Sequence, residues 1–130
     1  MRADSFLLGF GLALALTAVQ AQESDDDHPP IDVHVNGGQV SVSEDPVSTS
    51  QSEGGLVWAI GTDGFHFAQN GIDIAAPPGV HDCHVIANGQ RIRCKKNRHV
   101  SGAKYKYTVN VVDSATGQAL PPLDPFILHK

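Results

Sequence analysis

Seven histidines and two cysteines are the residues of this sequence best suited to hold a metal ion. Four residues separate Cys94 from His99, and type-1 copper sites use such a nearby pair with an upstream histidine and often a downstream methionine. His66 or His81 would supply the upstream ligand, but the only methionine is Met1. A cysteine in a disulfide also cannot bind copper as a thiolate. The missing downstream methionine and the availability of Cys83 as a disulfide partner for Cys94 therefore argue against type-1 copper.

A second metal hypothesis uses His81, His84 and His99, whose neutral imidazoles are ligands for copper or zinc. The spacing of His81 and His84 puts both rings on one face of a helix but on opposite faces of a strand. They converge only if His81 lies in the loop after Gly79. A periplasmic or extracellular copper- or zinc-binding protein is therefore the alternative function.

Positive charge is concentrated in one short stretch, although the chain has a net charge of −5. Seven of the nine Lys and Arg residues fall there: Arg91, Arg93, Lys95, Lys96, Arg98, Lys104 and Lys106. Alternation puts Arg91, Arg93 and Lys95 on one side of a strand. It puts Lys104 and Lys106 on one side of a later strand. If both strands belong to one sheet, its outer face attracts anions such as an acidic polysaccharide, a lipid head group or an acidic protein.

Catalysis and nucleic-acid binding are not favoured. The serines lie mainly in predicted loops, and the sequence has neither a G-x-S-x-G nucleophile motif nor a nucleotide-binding glycine motif. The acidic balance of the chain argues against a nucleic-acid partner. We therefore predict a non-catalytic binding or structural module without a cofactor. It would contact an anionic partner through the basic sheet face.

The basic stretch begins in a predicted β-hairpin. Asn88-Gly89 is typical of a two-residue hairpin turn, because both residues accept positive φ. Counting outward from this turn places Cys83 opposite Cys94, and we predict a disulfide between them. A regular two-residue hairpin puts this pair at a hydrogen-bonded position, where the Cα atoms are farther apart, so a bulge or longer loop would help. The buried face would carry Cys83, Val85, Ile92 and Cys94.

The rest of the chain consists of short segments that predict strands. Turn signals such as Asn70-Gly71 separate them, and no segment has a helical period. The predicted strands cover residues 31–35, 39–43, 56–60, 65–67, 72–75 and 104–112, with edge strands near 46–50 and 126–128. This pattern predicts an all-β fold, a single antiparallel β-sandwich over residues 31–130 with one disulfide inside a hairpin.

A family resemblance rests on L-V-W-A-I, F-H-F-A-Q-N-G-I-D-I, the cysteine hairpin, Y-K-Y-T-V-N-V and L-D-P-F-I. Together these segments resemble small exported bacterial proteins of unassigned function. The sandwich of those proteins is similar to the immunoglobulin-like and cupredoxin-like folds. The resemblance spans about residues 31–128, and it implies a fold without implying an activity.

Residues 1–21 are predicted to be a secretory signal peptide. Arg2 precedes an apolar run from Phe6 to Val19, and Val19-Gln20-Ala21 offers small residues for cleavage. The run is short for a membrane span, and no later apolar stretch is long enough to anchor the chain after cleavage. Export to the periplasm or the medium permits the predicted disulfide.

Residues 22–30 are predicted to be a disordered acidic leader, because they contain no apolar side chain and end in two prolines. We hypothesise that Asp25, Asp26 and Asp27 fold back onto the basic face. The remaining chain has the size of one domain, and we expect a monomer.

Overall fold

The computed structural model describes residues 27–74 and 79–130. The strands in these ranges are β1 Ile31–Asn36, β2 Gln39–Val42, β3 Val47–Thr49, β4 Gly55–Ile60, β5 Phe65–Asp73, β6 Val80–Ile86, β7 Arg91–Lys96, β8 Lys104–Lys106, β9 Thr108–Asp113 and β10 Phe126–His129. The prediction of an all-β chain is confirmed. The predicted signal peptide and leader residues 22–26 lie outside the described residues. In the described ranges, no helix has the length and apolarity needed to cross a membrane.

The strands form three small sheets. One has the order β2-β1-β4-β7-β6, the second β3-β10-β8 and the third β9-β5. Strand β1 pairs with β4 in parallel, and β10 pairs with β3 in parallel. The prediction of purely antiparallel strands was therefore wrong. The chain leaves the first sheet after β2, adds β3 to the second sheet and returns as β4 beside β1, which makes those two neighbours parallel.

The centre of the core is a contact between Trp58 and Tyr107, both essentially fully buried. Indole Nε1 of Trp58 donates a hydrogen bond to Tyr107 Oη at 3.1 Å, and the ring centroids are 5.2 Å apart. Burial raises the pKa of Tyr107, so its hydroxyl stays neutral. The contact gives the buried indole N–H an acceptor and joins β4 to the segment between β8 and β9.

The predicted strand over residues 104–112 is interrupted at Tyr107. Its first part, β8, pairs with β10, and its second part, β9, pairs with β5. Alternation puts Tyr105, Tyr107, Val109 and Val111 on the side opposite Lys104 and Lys106. The last three of these are buried, and Tyr105 is partly buried. Alternation therefore identified the buried side even though the strand has two different neighbours.

The predicted turn at Asn70-Gly71 was wrong, because β5 continues through it to Asp73. The register against β9 shifts here, and Asn110 Nδ2 donates to the Asn70 carbonyl at 2.8 Å. Gly71 is buried, and a Cβ at this position would lie 2.5 Å from Ile92 Cδ1. Glycine is needed at this point for close packing between two sheets and not for a turn.

The cysteine hairpin has the predicted register, with Cys83 paired to Cys94 and a disulfide of 2.06 Å between them. Asn88 and Gly89 have the expected positive φ of 57° and 86°. The Cα atoms of Cys83 and Cys94 are 4.0 Å apart, well below the roughly 5.5 Å of a hydrogen-bonded pair. The ladder shifts register at Asp82, whose φ is 56°. A bulge therefore accompanies the disulfide.

Candidate functional site

The outer side of β6 and β7, which we call the hairpin face, carries part of the predicted basic surface. Arg91, Arg93 and Lys95 alternate along β7 with the buried Ile92 and Cys94. These three cations therefore share one side of the five-stranded sheet. The hairpin face also holds carboxylates, and they decide how much positive charge remains there.

Asp27 makes a two-point ion pair with Arg93. Oδ2 lies 2.9 Å from Nε and Oδ1 lies 2.9 Å from Nη2, while the aspartate side chain is only 3% exposed. The hydrogen bonds that Arg93 donates to Asp27 raise the pKa of Arg93. The pair lies over Gly55, where a Cβ would be 2.7 Å from Nη2 of the arginine. An Arg93 side chain held in this way has its strongest donors already satisfied.

The end of the predicted disordered leader is ordered and packed. The main-chain N–H of His28 donates to the Gly55 carbonyl at 2.9 Å, and His28 itself is 8% exposed. Its Nε2 lies 3.4 Å from the Glu44 carboxylate. The packed region therefore includes Asp27 and His28, which precede residue 31. Of the three aspartates expected to fold back, Asp27 does so, whereas Asp25 and Asp26 lie outside the described residues.

A cleft of about 310 Å³ opens on the hairpin face. Ile86 and Ala87 form its apolar wall, and Asp82, His84 and Lys95 form part of its polar wall. One Asp82 oxygen lies 2.9 Å from His84 Nε2, and the other lies 3.7 Å from Lys95 Nζ. All three side chains are exposed, so these contacts contribute little to stability. They nevertheless place a carboxylate beside the most exposed cation of β7.

Lys96 does not belong to the basic surface, which corrects the prediction for this residue. It points to the opposite side of β7 from Lys95 and is 8% exposed. Its Nζ donates to Thr49 Oγ1 at 3.0 Å, to His99 Nδ1 at 3.1 Å and to the Ser50 carbonyl. Burial lowers the pKa of Lys96, and nearby Glu53 opposes that effect. The three acceptors satisfy the ammonium group, so Lys96 connects β7 to β3.

A buried histidine continues this polar network. Val100 N–H donates to His129 Nδ1 at 3.1 Å, so the neutral ring carries its proton on Nε2, 2.7 Å from Tyr105 Oη. Burial lowers the pKa of His129, and the neighbouring His99 and Lys96 lower it further. Burial also raises the pKa of Tyr105 to about 12. The arrangement keeps the His129 and Tyr105 rings neutral and joins the loop after β7 to β10.

His99 lies between Lys96 and the end of the chain. Its ring stacks on His129 with centroids 5.1 Å apart, and its Nε2 lies 2.6 Å from the Lys130 main-chain oxygen. Because Lys96 donates to Nδ1, the ring proton is on Nε2 and points to Lys130. His99 therefore has both nitrogens engaged in holding the chain together. Arg98, the preceding residue, is exposed in the loop after β7.

Lys104 and Lys106 lie in the second sheet, so the predicted basic surface is divided between two sheets. Both are exposed on β8, and their Nζ atoms lie 4.9 and 5.8 Å from the ring centroid of Phe126. Lys106 is opposite Phe126, and Lys104 is opposite Leu128. We call this group of four side chains the β8–β10 face. No carboxylate of the described residues forms an ion pair with either lysine.

The histidines of the metal hypothesis are not brought together. His81 lies inside β6 and not in the preceding loop, His84 contacts Asp82, and His99 joins the Lys96 network. Across residues 27–74 and 79–130, no group of three His, Cys, Asp or Glu side chains is close enough to hold a metal ion. Cys94 is in the disulfide, which removes it as a copper ligand.

Two features were missed by sequence reasoning although a signal was present. The alternation that buries Ile92 and Cys94 also buries Lys96, and the alternation around Ile127 also buries His129. No comparable signal links Asp27 to Arg93.

Comparison of the chain with protein-family models gave no match, and a search of curated proteins gave no significant match.

Proposed function

We propose that this chain is an exported, non-catalytic binding module that contacts an anionic partner through the β8–β10 face. The observation that carries the proposal is that Lys104 and Lys106 are exposed side by side with no carboxylate partner among the described residues. Arg93 and Lys95, by contrast, already face Asp27 and Asp82. Within residues 27–74 and 79–130, no carboxylate ion pair competes with an anion for the two lysines.

On the hairpin face, an anionic ligand must compete with carboxylates of the protein, and this competition is stronger at Arg93 than at Lys95. A ligand must displace a buried carboxylate to use Arg93, and charge-assisted two-point pairs of this kind are among the strongest hydrogen bonds in proteins. Lys95 is easier to recruit because its contact with Asp82 is exposed and loose. The hairpin face is therefore a weaker candidate. The net charge of −5 does not prevent anion binding elsewhere, since exposed charges beyond about 8 Å are largely screened at physiological salt.

We further infer that the sheets stack as one β-sandwich, similar to the immunoglobulin-like or cupredoxin-like folds. Only Tyr107 separates β8 from β9, so the second and third sheets are continuous along one chain segment. The hydrogen bond from Trp58 to Tyr107 joins that segment to the five-stranded sheet. In such a sandwich the β8–β10 face is on the outside, where a partner reaches it.

Export is the other half of the proposal. The apolar N-terminal run and the closed Cys83–Cys94 disulfide support it, because such bonds persist mainly in oxidising compartments. Mass spectrometry of the protein recovered from the periplasm or medium checks both points. We expect the mass of a chain that begins near Gln22, and we expect it to be about two units below the mass of the same chain with reduced cysteines. An uncleaved mass with free thiols would contradict export.

Salt-gradient elution from a heparin column tests the anion-binding face. The double variant K104Q/K106Q and the double variant K95Q/R98Q lose the same two charges, so net charge is matched. We expect K104Q/K106Q to elute at clearly lower salt than the parent and K95Q/R98Q to elute close to it. Earlier elution of K95Q/R98Q alone would assign binding to Lys95 on the hairpin face or to Arg98 in the loop after β7. Absence of retention for the parent protein would overturn the anion-binding function.

A further inference from the structure

We infer that the anionic partner of the β8–β10 face is the surface of an anionic lipid bilayer. This inference rests on the proposed function and names the class of partner. The face is a block of two cross-strand pairs, Lys106 with Phe126 and Lys104 with Leu128. Cations therefore lie directly beside apolar side chains. That combination matches the boundary between charged head groups and acyl chains.

The face is free of acidic residues along its strands. Strands β3, β8 and β10 contain no Asp or Glu, in a chain with fourteen of them. At the rim, an Asp45 oxygen accepts a hydrogen bond from the Phe126 main-chain N–H at 3.0 Å. A second nearby carboxylate, Asp124, accepts a hydrogen bond from Thr108 Oγ1 at 2.9 Å. Neither carboxylate forms an ion pair with Lys104 or Lys106.

The aromatic ring favours lipid over an acidic polysaccharide. Both ammonium groups lie over the Phe126 ring, within 4.9 and 5.8 Å of its centroid. A sugar would stack on that ring and must first displace both cations. A bilayer makes different demands, because the flexible lysines extend to phosphate groups while the ring and Leu128 remain at head-group depth. Half-buried apolar side chains between two lysines then gain contact instead of remaining in water.

The expected affinity is modest and depends on salt. A lysine close to an anionic membrane contributes about a fivefold change in binding, so two lysines contribute about 25-fold. Negative charges elsewhere on the protein oppose membrane binding only where they lie within about one Debye length of the β8–β10 face, roughly 8 Å at physiological salt. Binding at low ionic strength that weakens steeply with added salt is the expected behaviour.

The test is co-sedimentation with vesicles of phosphatidylcholine, with and without phosphatidylglycerol. The protein must begin after the predicted signal peptide, with its mass checked, because an uncleaved apolar segment would bind vesicles by itself. We expect binding only to the vesicles that contain phosphatidylglycerol. K104Q/K106Q should weaken it about 25-fold, and K95Q/R98Q should change it less than twofold. At a salt concentration where the lysines contribute little, F126S should weaken the remaining vesicle binding relative to the parent protein.

The outcomes separate the two proposals. Retention on heparin without binding to anionic vesicles would overturn the lipid inference and leave the anion-binding function in place. Absence of both would overturn both. Equal binding to neutral and anionic vesicles would also contradict the inference, because the lysines would then have no role. The lysine variants are exposed substitutions, so the test remains decisive even if F126S fails to fold.

Discussion

The Nζ atom of the buried Lys96 lies 3.1 Å from Nδ1 of His99, and the same ammonium group contacts Thr49 on β3. A cation with little solvent contact thus depends on a neutral histidine as an acceptor. His99 in turn stacks on the buried His129. This relationship makes the stability of the domain sensitive to the lysine and to the protonation of the stacked His129.

Lys96→Met is expected to destabilise the domain by about 1–3 kcal/mol, because Thr49 Oγ1 and the Ser50 carbonyl lose their donor in a buried place. Lys95→Met, one residue away on the exposed side, should change the free energy of unfolding by less than about 0.5 kcal/mol. Urea unfolding of both variants measures the difference. Equal effects would mean that the burial of Lys96 has no energetic consequence.

Acid is expected to destabilise the domain through His129. Its pKa in the folded state is lowered, so the stabilisation is complete above the unfolded value of about 6.5 and is lost progressively as pH falls below it. One such group changes the free energy of unfolding by at most about 1.4 kcal/mol per pH unit.

Urea unfolding at several pH values between 7.5 and 5 checks this dependence. We expect His129→Gln to be less stable than the parent at pH 7.5 and to lose less stability on acidification. His34→Gln, at an exposed position on β1, is the matched control and should retain the parental pH dependence. If the curve of His129→Gln runs parallel to that of the parent, the acid sensitivity comes from other groups.

Gly55→Ala is expected to be destabilising by about 1–3 kcal/mol, because the new methyl group would collide with the Arg93–Asp27 ion pair at 2.7–2.8 Å. Gly54→Ala introduces the same group at the neighbouring position, where nothing lies within 4 Å. Thermal unfolding should therefore separate the two variants clearly. Similar melting temperatures would show that the ion pair moves aside without cost.

Replacing both cysteines with alanine removes the Cys83–Cys94 bridge and is expected to cost roughly 3 kcal/mol, from the greater entropy of the unfolded chain. The hairpin register should survive, since the Asn88-Gly89 turn sets it independently. Amide hydrogen exchange at Val85 and Ile92 in the variant, set beside its denaturation curve, measures both effects. Loss of protection at these positions under conditions where the domain stays folded would mean that the disulfide, not the turn, holds the register.

Local features of the sequence determined the hairpin and the inward side of most strands. Two turn residues that accept positive φ place Cys83 opposite Cys94. The alternation of side chains separates Ile92 and Cys94 from Arg93 and Lys95. Both effects act over a few residues, so no knowledge of distant contacts is needed. The same rule applied one step further would have identified Lys96 as buried.

The tertiary structure alone decided which sheet each strand joins and what covers its outer side. It divided the basic residues between two sheets, placed Asp27 on Arg93 across most of the domain, and placed Phe126 under Lys104 and Lys106. Alternation predicts the side of a strand on which a side chain lies, but it contains no information on the neighbouring residue across the sheet. Those neighbours come from residues far away in the chain, and they determine whether an exposed cation is already paired or remains available to a partner.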